Sequence, residues 1–120
     1  MQNETFICLT RILMAEGFSM TNIFLNNFGL GEAEKTIEYY PNTQSFVYRT
    51  IHHNSISEGI TYNIKTLDKY CQQNLVTHID FLKVDIEGME IDFFNGGKYM
   101  INNNTKIIQF EFASQKRESR

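Results

Sequence analysis

The sequence predicts an α/β fold with parallel strands, on three observations. Residues 79–86 (IDFLKVDI) alternate in the manner of a strand rich in β-branched and aromatic side chains. Residues 89–95 follow as a short amphipathic helix stopped by Gly96-Gly97. Residues 106–113 (KIIQFEFA) then read as another strand. Strands separated by a helical stretch need a crossover, which makes them parallel and the connection right-handed. An open parallel sheet places its ligand beyond the carboxyl ends of its strands. Asp85 and Glu87 fall at that end of the earlier strand, and Glu111 near that end of the later one.

The remaining elements are read in order. Phe6, Leu9, Ile12, Leu13 and Ala15 give residues 4–16 a helical apolar stripe, with Gly17 as its stop. Residues 23–28 read as a short buried strand, followed by a turn at Gly29-Leu30-Gly31. Residues 35–40 (KTIEYY) alternate and end at Pro41-Asn42. Residues 43–58 show no clean period, and a loop of that length in a small domain is functional or mobile. Ile60, Tyr62 and Ile64 alternate as a strand. Thr66 then caps a helix over residues 67–74, with Leu67, Tyr70, Cys71 and Leu75 as its apolar members. Phe93-Phe94 reads as core packing, and Asn102-Asn103-Asn104 as a loop.

Bulk properties narrow the function. With 120 residues the chain makes at most one domain, and ten Phe and six Tyr supply a large apolar area. A net charge of −3 leaves no basic field to draw nucleic acid. Cys8 and Cys71 are too few for a disulfide framework or a zinc site and read as buried free thiols. No apolar run approaches membrane-spanning length, and the first residues lack a basic leader. The expectation is a cytoplasmic chain with neither a nucleic-acid nor a membrane partner.

The chemistry concentrates in K-x-D-x-E-G at residues 83–88. Strand alternation puts Phe81, Lys83, Asp85 and Glu87 on one face and Leu82, Val84 and Ile86 on the other. Lys83 is placed to neutralise Asp85, while Glu87 has no partner in sequence. Gly88, without a Cβ, allows a tight turn or a close approach to a ligand.

Residues 77–97, THIDFLKVDIEGMEIDFFNGG, resemble the signature of the FkbM family of S-adenosylmethionine-dependent methyltransferases. Ile79, Asp80, Phe81, Leu82, Lys83, Asp85, Glu87, Gly88 and Glu90 match it. Residues 65–70 (KTLDKY) are similar to the family's T-L-D-x-Y, and IIQFEF resembles its next strand. Residues 26–31 (NNFGLG) resemble its asparagine-containing strand and A-L-G turn, with Gly29 in place of alanine. The likeness runs from about residue 6 to 113, with residues 114–120 a polar tail. It implies an incomplete, mostly parallel Rossmann-like class I methyltransferase sheet with an inserted β-hairpin. The family's glycine-rich cofactor loop has no counterpart here, so a truncated domain is expected. Its open strand edges would invite self-association or pairing with a missing N-terminal half.

The resemblance implies S-adenosyl-L-methionine as cofactor and a sugar or small-molecule hydroxyl as methyl acceptor. Glu87 and Asp85 would be catalytic, with Glu87 taking or orienting the hydroxyl proton. Lys83, Gly88, Asn27 and Glu111 would form the substrate and cofactor edge. Two other classes are open. One is a non-enzymatic remnant or interaction module on the same scaffold. The other is a metal-dependent hydrolase using Asp85, Glu87 and Glu111 as oxygen ligands, with His52, His53 and His78 recruited. No H-x-x-E-H or H-E-x-x-H spacing supports that last class.

Overall fold

A computed structural model of the chain describes residues 3–40, 45–48 and 60–111. The chain divides into two compact units. One comprises Met1–Gly29 and Lys35–Ile64, the other Leu30–Glu34 and Lys65–Arg120.

The former unit opens with helix α1, Asn3–Ala15. Phe6, Leu9 and Leu13 of the expected stripe are half-buried, whereas Ile12 and Ala15 are exposed. The helix stops where Gly17 takes a φ of 79°. There the Phe18 amide donates to the Leu13 carbonyl and the Gly17 amide to that of Met14, both at 3.1 Å. This is the Schellman arrangement that a left-handed glycine permits.

Residues 23–28 do not form the expected strand. Strand-forming residues gain from packing on a half-buried face, and Phe24 stands 79% exposed. The pairing falls instead on the expected turn, as the two-residue strand β1, Gly29–Leu30.

Strand β2, Lys35–Tyr40, forms where its alternation predicts. Part of the aperiodic stretch forms strand β3, Ser45–Tyr48, which corrects the reading of all of 43–58 as loop. The rest of that stretch, with Pro41-Asn42 and His52-His53, lies outside the described residues. Strand β4, Ile60–Lys65, alternates half-buried Ile60, Tyr62 and Ile64 with exposed Thr61 and Asn63. The sheet order is β1-β4-β2-β3. Strand β2 runs antiparallel to both β3 and β4, with Thr36 Oγ1 donating to Asn63 Oδ1 across the β2–β4 pair at 3.3 Å. A mostly parallel sheet is therefore not what the described ladders form. Short connections favour antiparallel neighbours, and the parallel pair stands in a separate sheet.

The latter unit holds that pair. Helix α2, Leu67–Gln73, is capped by Thr66, whose hydroxyl accepts from the Lys69 amide at 3.3 Å. Strand β5 covers Ile79–Val84, two residues shorter than expected. Helix α3, Glu90–Gly96, follows, and Gly97 is its C-cap. Helix α4, Lys98–Asn104, occupies the expected asparagine loop. Strand β6, Thr105–Phe110, completes the unit. Strands β5 and β6 pair in parallel, with Phe81 opposite Ile107 and Lys83 opposite Gln109.

The core is built from all of these elements. Leu67, Cys71, Val84, Phe93 and Met100 are buried, and Leu82, Phe94, Ile101 and Ile108 pack against them. Burying a side chain such as Phe93 contributes about 1.5–3 kcal/mol. Only glycine fits at residue 96, because a Cβ there would lie 1.9 Å from the Gly31 carbonyl oxygen. A Cβ on Gly97 would meet Leu67 Cδ2 at 2.9 Å. The glycine pair thus ends α3 and also lets backbone and α2 close on it.

Both cysteines are free, but Cys8 is exposed, contrary to the expectation of buried thiols, and Cys71 is buried. An exposed position on α1 leaves Cys8 no core to enter. Burial pushes the Cys71 thiol above its ordinary pKa, and the Asp68 carboxylate adds to the shift.

Iodoacetamide at neutral pH should therefore label Cys8 alone in the native chain and both thiols in urea, read by intact mass. Gly96→Ala should lower the urea midpoint by about 1–3 kcal/mol equivalent, because backbone must move to admit the methyl group.

Candidate functional site

Parallel pairing carries the ends of β5 and β6 to the same edge of their sheet. The ladder runs one step further, with the Glu111 amide donating to the Val84 carbonyl at 3.4 Å. A cavity of about 320 Å³ opens at this edge, lined by Lys83, Val84, Asp85, Gln109, Phe110 and Glu111. Lys83, Asp85 and Glu111, all named from sequence, are thus brought together. Gln109 and Phe110 were not singled out. The parallel register, which sets Gln109 beside Lys83 and Phe110 beside Val84, is the signal that locates them. Phe110 is fixed edge-on to Phe94 of α3, with ring centroids 5.2 Å apart.

Glu87 and Gly88 stand apart from the cavity lining. Strand alternation does not reach them, because β5 ends at Val84 and the chain turns left-handed. Glu87 has a φ of 50° and Gly88 of 102°. Gly88 accommodates this without strain, whereas a left-handed φ is uncommon for a residue such as glutamate. Both are exposed. Asn27 lies exposed in the other compact unit.

A larger cavity, about 750 Å³, is lined by Thr66, Asp68, Gln72, Thr77, Tyr99 and Asn104 among others. Thr77 precedes β5 and Asn104 precedes β6, so this cavity lies toward the amino ends of the parallel strands. Its acid is occupied: Asp68 accepts from the Tyr99 and Met100 amides at 3.0 and 2.9 Å, capping α4. Lys69, also in its lining, pairs with Glu34. Ligands of parallel α/β sheets bind at the carboxyl ends, and the smaller cavity holds the ungrouped acids. It is the candidate site.

Among the described residues no three His, Cys, Asp or Glu side chains come together as a ligand cluster. Asp85, Glu87 and Glu111 do not converge in that way. His78 bonds Asp80 at 3.1 Å near the start of β5, at the opposite end of the strand. No described helix is long and apolar enough to cross a membrane.

A β-α-β unit with an acidic cavity at the carboxyl edge of its strands has the form of an α/β domain that binds a small ligand or transfers a group. The methyltransferase FkbM domain model matches residues 15–119, and the chain belongs to that family. No curated protein matches the chain. No solved structure matches it either.

The strain at Glu87 has a direct stability test. Glu87→Val should destabilise the chain by about 1–2 kcal/mol in urea, since a β-branched residue resists positive φ. Glu87→Gly should be neutral or stabilising by up to about 1 kcal/mol. The reverse order would refute a left-handed turn at this position.

Proposed function

We propose that this domain serves S-adenosylmethionine-dependent O-methyl transfer to the hydroxyl of a sugar or other small metabolite. The observation that carries the proposal is the joint placement of Asp85 and Glu111 in a cavity beyond parallel strands. Membership of the FkbM family supplies the reaction class.

The donor set fits the cationic end of the cofactor. Carboxylates favour a neighbouring positive charge, and Asp85 and Glu111 outnumber Lys83 in the lining. When bound, the cofactor supplies an electrophilic methyl group on a sulfonium. Asp85 and Glu111 would hold that end of it. Lys83 and Gln109, opposite each other across the ladder, present hydrogen-bond donors to an acceptor's oxygens. Phe110 offers an apolar wall that limits water. Glu87, in the left-handed turn outside this lining, would turn its carboxylate toward a bound acceptor to take or orient the hydroxyl proton. Positioning of this kind supplies much of the rate in a displacement.

Titration calorimetry of S-adenosylmethionine into the purified chain should show binding that Asp85→Asn weakens about tenfold or more. No heat at millimolar cofactor would favour the interaction-module reading. In a radiolabelled methyl-transfer assay over a panel of glycosides and small alcohols, Glu87→Gln should lower kcat about 10²–10⁴-fold. Unchanged turnover in that variant removes Glu87 from the chemistry.

A further inference from the structure

Glu90 is the buried charged side chain among the described residues, 6% exposed at the first position of α3. The chemistry proposed above does not use it. A buried carboxylate is costly unless it is hydrogen-bonded. Here Oε1 accepts the Gly88 amide proton at 3.0 Å, reaching back across Met89 to the left-handed turn. The same turn carries Glu87 at a φ of 50°. Strained backbone persists where surrounding structure over-determines it. A hydrogen bond from the turn's amide to an oxygen of a buried side chain is shielded from competing water, which suits it to that task.

We propose that Glu90 is a positioning residue whose buried carboxylate clamps the Gly88 amide and so holds the left-handed turn that carries Glu87. The catalytic consequence rests on the methyl-transfer reading; the clamp itself does not. Three observations converge on it: the burial of the acid, the bond to the amide of the turn, and the φ values of the residues before it. A helix-dipole role alone would leave the carboxylate at the surface, free of any bond to the preceding turn.

The test is amide hydrogen exchange at Gly88, read by NMR on the whole chain, in Glu90→Asp and Glu90→Gln. The shorter aspartate keeps the charge and loses the reach. Glutamine keeps the reach and an accepting oxygen. Gly88 exchange should quicken about tenfold in Glu90→Asp, with amides of β5 and α2 unchanged, and should stay within about threefold of wild type in Glu90→Gln. Equal protection in all three proteins overturns the clamp. So does unfolding of Glu90→Asp while Glu90→Gln folds, because the acid would then support the fold at large. Where turnover is measured, Glu90→Asp should lower kcat with the acceptor KM within about twofold, since a displaced Glu87 affects the reacting geometry and not uniform binding. A raised KM at constant kcat counts against the positioning role. Exchange behaving as stated with Glu87→Gln fully active would leave the clamp standing and remove only the catalytic role of Glu87, whereas exchange behaving as stated with no turnover in any protein would remove only the methyl-transfer reading.

Discussion

Parallel pairing of β5 with β6 is the constraint from which the candidate site follows. Parallel neighbours cannot be joined by a tight turn, so the chain must travel back along the sheet before the second strand begins. Helices α3 and α4 make that return, and they are stable there only if they bury a face. Phe93 and Met100 supply it, against Val84 of the strand and Leu67 and Cys71 of α2. Because both strands run the same way, Asp85 and Glu111 emerge at one edge. Antiparallel pairing would have sent them to opposite ends.

The return path is tightened by contacts between residues far apart in sequence. Gly96 lies so close to the Gly31 backbone that no other side chain fits. Helix α4 has no capping side chain of its own, since Gly97 precedes it. Asp68 provides the cap from α2, taking the Tyr99 and Met100 amides that the helix start leaves open. This gives the aspartate of the T-L-D-x-Y stretch a structural explanation. The residue belongs to the packing of the unit, in the cavity toward the amino ends of the strands and not with the acids at the carboxyl edge.

These dependencies explain which parts of the fold could be read from the sequence. Elements carried by local signals were legible. Thr66 caps α2 as its hydroxyl predicts, Gly17 ends α1 in a left-handed turn, and the alternation of Ile60, Tyr62 and Ile64 is the burial pattern of β4. The β5–β6 crossover was legible because its length excludes a hairpin. Elements decided by distant partners were not. Residues 102–104 read as a loop because three asparagines are poor helix formers, and the cap at the start of their helix sits 31 residues away from Tyr99. Residues 23–28 have strand composition but do not take up strand backbone. Strand β3 is recognisable only through its ladder with β2. At the site, the alternation that places Lys83 and Asp85 stops at the strand end. The sequence pattern carried Glu87 along with them, while the left-handed backbone sets it apart.

The balance of charge at the carboxyl edge bears on what such a cavity admits. Asp85, Glu111 and Lys83 are the charged residue types of its described lining, a formal excess of one negative charge. Charges in a partly enclosed space interact more strongly than in bulk water, so that excess favours a cationic ligand and disfavours an anionic one. A sulfonium donor is cationic, and an uncharged hydroxyl acceptor adds no repulsion. A phosphate or carboxylate acceptor would have to approach the same acids with only Lys83 to offset them. The reading of an uncharged polyol or sugar acceptor therefore rests on the same side chains as the reading of the donor. Phe110, held by its edge-on packing against Phe94, gives such a ring an apolar surface beside the polar groups.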